Sequence, residues 1–136
     1  MKNLLTAIKT KLAGSTLSTD VGGRIYLDQA PQECEFPYVV YFIVSGVPED
    51  CFARDGEIIL IQFSLFSASS GATEIGTMYA DLKSLLDDCT FTITSNRLIW
   101  FRRVNLTTMV EEITVANAAQ AVKHWAVDYE ITIQET

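Results

Sequence analysis

A chain of 136 residues and 15.1 kDa has the size of one ordinary domain, long enough to bury about two-thirds of its unfolded surface. Its 17 acidic and 10 basic residues leave a net charge of −7. That balance repels phosphate backbones and anionic membranes, and it argues against sequence-independent nucleic-acid binding.

Leu4, Leu5, Ile8 and Leu12 recur at helical spacing before Gly14, which predicts a first amphipathic helix over residues 2–13. Residues 15–23 are small and polar and read as a turn region ending in Gly22-Gly23. Arg24 to Leu27 predicts a short strand, and residues 28–37, with Pro31 and Pro37, a loop. The β-branched and aromatic run over residues 38–45 predicts a strand buried on both faces. Residues 46–56 read as a polar loop whose Asp55-Gly56 pair supplies a tight turn. A strand over residues 57–67 follows, with Ile59, Ile61, Phe63 and Leu65 on one face.

The stripe Ile75, Met78, Tyr79, Leu82, Leu85 and Leu86 predicts a second helix over residues 71–88, with Ser70 as its cap. Residues 91–94 read as a strand, Ser95-Asn96 as a turn, and residues 97–106 as another strand. Residues 107–119 are ambiguous and suit an extended arm. The last strand alternates, with Trp125, Val127, Tyr129, Ile131 and Ile133 inward. Helix, three strands, helix, three strands amounts to an α+β fold in one domain, residues 1–136. Its sheet is mainly antiparallel, with two helices packed on one face.

The chemistry-bearing residues are sparse. His124 is the sole histidine, so neither a His-based acid/base pair nor a multi-histidine metal site can form within one chain. Strand alternation places it opposite Trp125. Cys34, Cys51 and Cys89 are widely spaced and form no CxxC pair, which reads as reduced, mostly buried thiols in a cytoplasmic protein. Lys9 and Lys11 interrupt any signal-peptide core, and no apolar run approaches a membrane span.

The acidic pairs Glu49-Asp50, Asp87-Asp88 and Glu111-Glu112 do not converge if extended, because neighbouring side chains alternate faces. Gly22-Gly23 lacks the lysine-serine and the following helix of a phosphate loop. Arginine and aromatic residues interleave at Arg97, Trp100, Phe101, Arg102 and Arg103. Alternation splits that set, with Trp100 and Arg102 on one face and Arg97, Phe101 and Arg103 on the other. The expectation is no catalytic residue, no cofactor and no metal.

The segment Gly22-Gly23-Arg24-Ile25-Tyr26, then Ala30-Pro31-Gln32, then Phe36-Pro37-Tyr38-Val39-Val40-Tyr41, resembles a family of small bacteriophage tail-completion or tail-terminator proteins. A looser likeness continues through Gln62-Phe63-Ser64-Leu65-Phe66, the second helix and the terminal strand. The resemblance implies a non-enzymatic, tail-terminator-like subunit of a homo-oligomeric ring, commonly a hexamer. Such a ring caps the major tail tube protein and joins the tube to head-tail connector proteins. DNA passes through its lumen without specific binding, which an acidic wall favours, and no membrane is involved. Residues 46–56 and 107–119 are the implied contacts with neighbours or tube. A head-completion or connector role in the phage neck, as adaptor or stopper, is the alternative.

Overall fold

The computed structural model describes the backbone of residues 1–50, 55–115 and 118–135, and side chains outside residues 50, 113–115 and 118–120. The chain forms α1 (Lys2–Leu12), α2 (Thr16–Asp20), β1 (Ile25–Leu27), β2 (Tyr38–Asp50), β3 (Asp55–Ser67), α3 (Thr73–Leu86), β4 (Asn96–Val115) and β5 (Ala118–Glu135). One sheet orders the strands β1-β2-β3-β5-β4. All its ladders are antiparallel except β1–β2, which is parallel. The α+β reading holds.

The core lies between one face of this sheet and the helices. Leu4, Ile8 and Leu12 of α1 and Ile75, Met78, Leu82 and Leu86 of α3 pack with Ile59, Ile61, Phe63 and Leu65 of β3. Val127, Tyr129, Ile131 and Ile133 of β5 join them. Period-2 alternation in the strands and the apolar helix stripes therefore meet as expected. Burying these side chains contributes roughly 1.5–3 kcal/mol each against exposure, which makes this layer the main source of stability.

Several local expectations need correction. Residues 15–23 contain α2, capped by Ser15, whose Oγ accepts from the Ser18 amide at 3.1 Å and donates to the Leu12 carbonyl at 2.7 Å. α3 begins at Thr73 with Ala72 in the cap position and no side-chain cap, so Ser70 does not serve there. Asp55 and Gly56 are not the tight turn; they open β3, paired with Asp50 and Glu49. The hairpin tip lies outside the described residues. Residues 91–94 form no strand, only a bridge from Ile93 to Asn96.

β2 is not buried on both faces. Val39 and Tyr41 are buried, but Val44 is exposed where the register shifts between Ile43 and Ser45. β4 and β5 are far longer than their apolar patterns suggested, and residues 107–115 continue β4. No helix among the described residues is long and apolar enough to cross a membrane.

Candidate assembly surfaces

The segment from Gly22 to Tyr41 is a structural lock. Gly22 and Gly23 take positive φ (60° and 78°), which lets the chain leave α2 and turn at once into β1. Arg24 then reaches across the loop: Nε donates to the Pro37 carbonyl at 3.0 Å and Nη2 to that of Phe36 at 3.4 Å. The Val39 amide donates to the Arg24 carbonyl at 2.9 Å, so one arginine fixes both ends of the β1–β2 connection. A parallel neighbour needs a long return path, and Arg24 holds this helix-free one in place.

The sheet face away from the helices is uncovered by any helix and carries ordered rows. At one end Tyr38 stacks on Phe66 (centroids 4.7 Å) and Phe66 on His124 (4.3 Å), the three sitting side by side across β2, β3 and β5. His124 does lie opposite Trp125. Its Nδ1 is 3.3 Å from Glu111 Oε1, while Nε2 is buried without a partner among the described residues. Further along, Gln62 donates to Asp128 at 2.9 Å and Arg102 pairs with Glu130 at 3.0 Å while lying over Trp100.

Arginines and aromatics divide differently from simple alternation. The register shifts between Leu98 and Trp100 and between Arg103 and Asn105, leaving Ile99 and Val104 as extra residues. Arg97 pairs with Gln134 and Trp100 with Thr132, so Arg97 shares the open face with Trp100 and Arg102. Phe101 is buried in the core, and Arg103 bonds Tyr79 and pairs with Asp87 at 3.2 Å. The positive groups on the open face are thus offset by Glu130 and Asp128, and no basic groove results.

The other sequence candidates also separate. Cys34 touches the Tyr26 hydroxyl at 3.7 Å, and Cys89 is half-buried with its thiol pushed upward by burial. Neither shares a hydrogen bond with His124 among the described residues, and Cys51 lies outside them. Asp87 accepts from Tyr129 Oη at 2.7 Å, which leaves Asp88 exposed beside it. Glu111 and Glu112 fall on opposite faces of β4, as their pairing with Val122 and Ala121 requires. Among the described residues no three His, Cys, Asp or Glu side chains converge on a metal position.

One carboxyl pair escaped the sequence reading because its members are distant in the chain. Burial, and then the neighbouring Asp81 carboxyl, push Asp20 up to about 6. Asp20 Oδ2 is closed to solvent without a hydrogen-bond partner among the described residues. Only contact between α2 and α3 brings them together.

Exposed apolar residues gather at the two sheet edges. Leu27 of β1 and, beyond the short β1, Val44 and Val47 of β2 stand at one edge with Met1 near them in the groove lining, while Ile99, Trp100, Val104 and Val110 stand along β4. Between α1 and β1 opens a groove of about 910 Å³, lined by Leu5, Ile25 and Leu27 with Lys2 and Lys9 at its rim. Beyond Lys123, the last β5 residue paired to β3, β4 and β5 pair only with each other, from Glu111–Val122 to Val115–Ala118. At about 3.4 Å per residue, that two-stranded arm overhangs the sheet by roughly 17 Å.

The model of one protein family, tail completion protein gp17, matches residues 2–134. The chain belongs to this tail-completion family. It is accordingly a structural protein of the phage tail or neck. Among solved structures it is similar to a chain of the virion of a native gene transfer agent particle, at 15% identity and TM-score 0.71. That alignment covers 95% of this chain and 92% of the other. A second chain, whose name carries no functional description, aligns at 11% identity and TM-score 0.56 over 96% and 94%. At these identities the likeness is one of fold. No curated protein matches the chain in sequence.

Proposed function

We propose that this tail-completion protein acts without catalysis, as a single tail-terminator-like domain in a ring of six copies that caps the tail tube. The ring joins the major tail tube protein to head-tail connector proteins, and DNA passes through its lumen without specific binding. The observation that carries the reading is the exposure of apolar residues at both sheet edges in one subunit, Leu27 at β1 and Ile99, Val104 and Val110 at β4. A ring subunit needs two different contact surfaces on opposite sides, because each copy touches one neighbour with each. The net charge of −7 supports a lumen that does not hold DNA.

Electron microscopy of the purified protein, alone and with isolated tail tubes, tests this. Closed rings in solution or on tube ends are expected. Monomers that never bind tube ends, together with normal tails and unfilled heads in particles lacking the protein, would move it to the head-completion or connector role. Alanine at His124 and at each cysteine is expected to leave assembly intact, since none of the four has a catalytic task.

A further inference from the structure

We propose that the overhanging β4–β5 arm of one copy docks in the groove between α1 and β1 of the next copy. The proposal rests on the ring reading and names its contact. Charge is the first argument. In a chain with 17 acidic residues, α1 carries Lys2, Lys9 and Lys11 and no acid. The overhang, residues 111–122, carries Glu111 and Glu112 and no base.

Position is the second argument. β1 and β4 are the two edges of a five-stranded sheet, four spacings of about 4.8 Å apart, so groove and arm lie on opposite sides. The contact therefore runs head to tail, the arrangement that closes into a ring or continues as a filament. A symmetric dimer would pair like surfaces instead.

Chemistry is the third. Val110 is 69% exposed, more than any other large apolar residue described. At the root of the arm it shares a face with Glu112, two residues on, with Ala121 opposite Glu112, and with Lys123, whose ammonium is turned to the Ser69 carbonyl at 2.6 Å. Lys2, Leu5 and Lys9 stand three and four residues apart on α1, which aligns them on one helix face beside Ile25 and Leu27. An apolar strip with a carboxylate thus meets an apolar groove rimmed by ammonium groups. Neither Lys2, Lys9 nor Glu112 has an ion-pair partner within the subunit among the described residues.

A charge exchange between Lys9→Glu and Glu112→Lys tests the contact, read by light scattering of the purified protein and by decoration of isolated tail tubes. Each variant alone is expected to weaken self-association at least tenfold, and the double variant to recover it. Both sites are exposed, and circular dichroism confirms that each variant is folded. A second measurement uses Lys9→Cys and Glu112→Cys, mixed and treated with a short bis-maleimide, with wild-type protein as background control. A cross-linked dimer that appears only in the mixture supports the contact. Wild-type rings that persist in both charge variants, without the cross-link, would overturn the arm-in-groove contact and leave the ring standing. Rings that persist while tube binding is lost would assign the arm to the tube. Absence of any self-association by wild type, in solution or on tubes, would overturn both readings.

Discussion

The Asp81 carboxyl, in the middle of α3, adds to burial in raising the carboxyl of Asp20, the last residue of α2. A second negative charge there would repel the first, and partial burial weakens the screening by water. The Asp20 carboxyl is therefore held up at about 6 against an unfolded value of 3.8. A raised carboxyl stabilises the fold below the unfolded value and loses that contribution as pH rises through the folded one. Stability is expected to fall by on the order of 1–2 kcal/mol between pH 4 and pH 7 from this pair, discounted for partial exposure. Asp20→Asn, whose amide can donate to Asp81, should flatten that slope and raise the melting temperature at pH 7. Thermal melts of both proteins across this range decide it; parallel slopes would count against a raised Asp20 carboxyl.

Tyr129 ties the sheet to the end of α3. Its hydroxyl donates to Asp87 at 2.7 Å, and burial with the Asp87 carboxylate pushes its ionisation well above the ordinary phenol. Tyr129→Phe keeps the ring packed edge-on to Phe63 and tilted against Phe101 and removes only this bond. The expected loss is about 1–2 kcal/mol, seen as a lower urea midpoint with an unchanged slope.

Ser15 is the cap on which α2 depends. With five residues, α2 cannot hold itself helical without its cap and the packing of Leu17 and Val21. Ser15→Ala is expected to cost about 1 kcal/mol. Faster amide exchange at Ser18 and Thr19 would report the same loss locally, and unchanged exchange there would show that packing alone suffices.

Arg102 and Arg103 have different tasks. Arg102 is paired with Glu130 at the surface, whereas Arg103 joins Asp87 and Tyr79 at the junction of β4 with α3. Arg102→Ala is expected to change stability by less than about 0.5 kcal/mol, and Arg103→Ala to cost about 1 kcal/mol. Double-stranded DNA should show no salt-dependent retention by wild type at low ionic strength. Retention lost in the Arg102→Ala, Arg103→Ala double variant would contradict the account.

The elements with strong periodicity were legible in the sequence. Ile75 through Leu86 gave α3, and Trp125 through Ile133 gave the inner face of β5, because burial imposes its period on the residues it covers. What escaped was decided by partners distant in the chain. Gly46, Pro48 and Gly56 look like loop residues, yet they sit in a ladder held by cross-strand pairing. The extra residues Ile99 and Val104 reset the alternation of β4, which moved Arg97 to the face of Trp100. The parallel placement of β1 beside β2 follows from the Arg24 clamp, which no local pattern announces. The exposed edges and the arm emerged only once strand order was known, since Val110 and Glu112 carry no signal of their own.

Under the proposed function this tail-completion protein terminates the tail. That role is tested most directly by the distribution of tail lengths, measured by electron microscopy, in particles assembled without the protein. The account predicts a broad distribution extending well beyond the wild-type length, corrected when the protein is restored. Tails of normal, uniform length in its absence would contradict it.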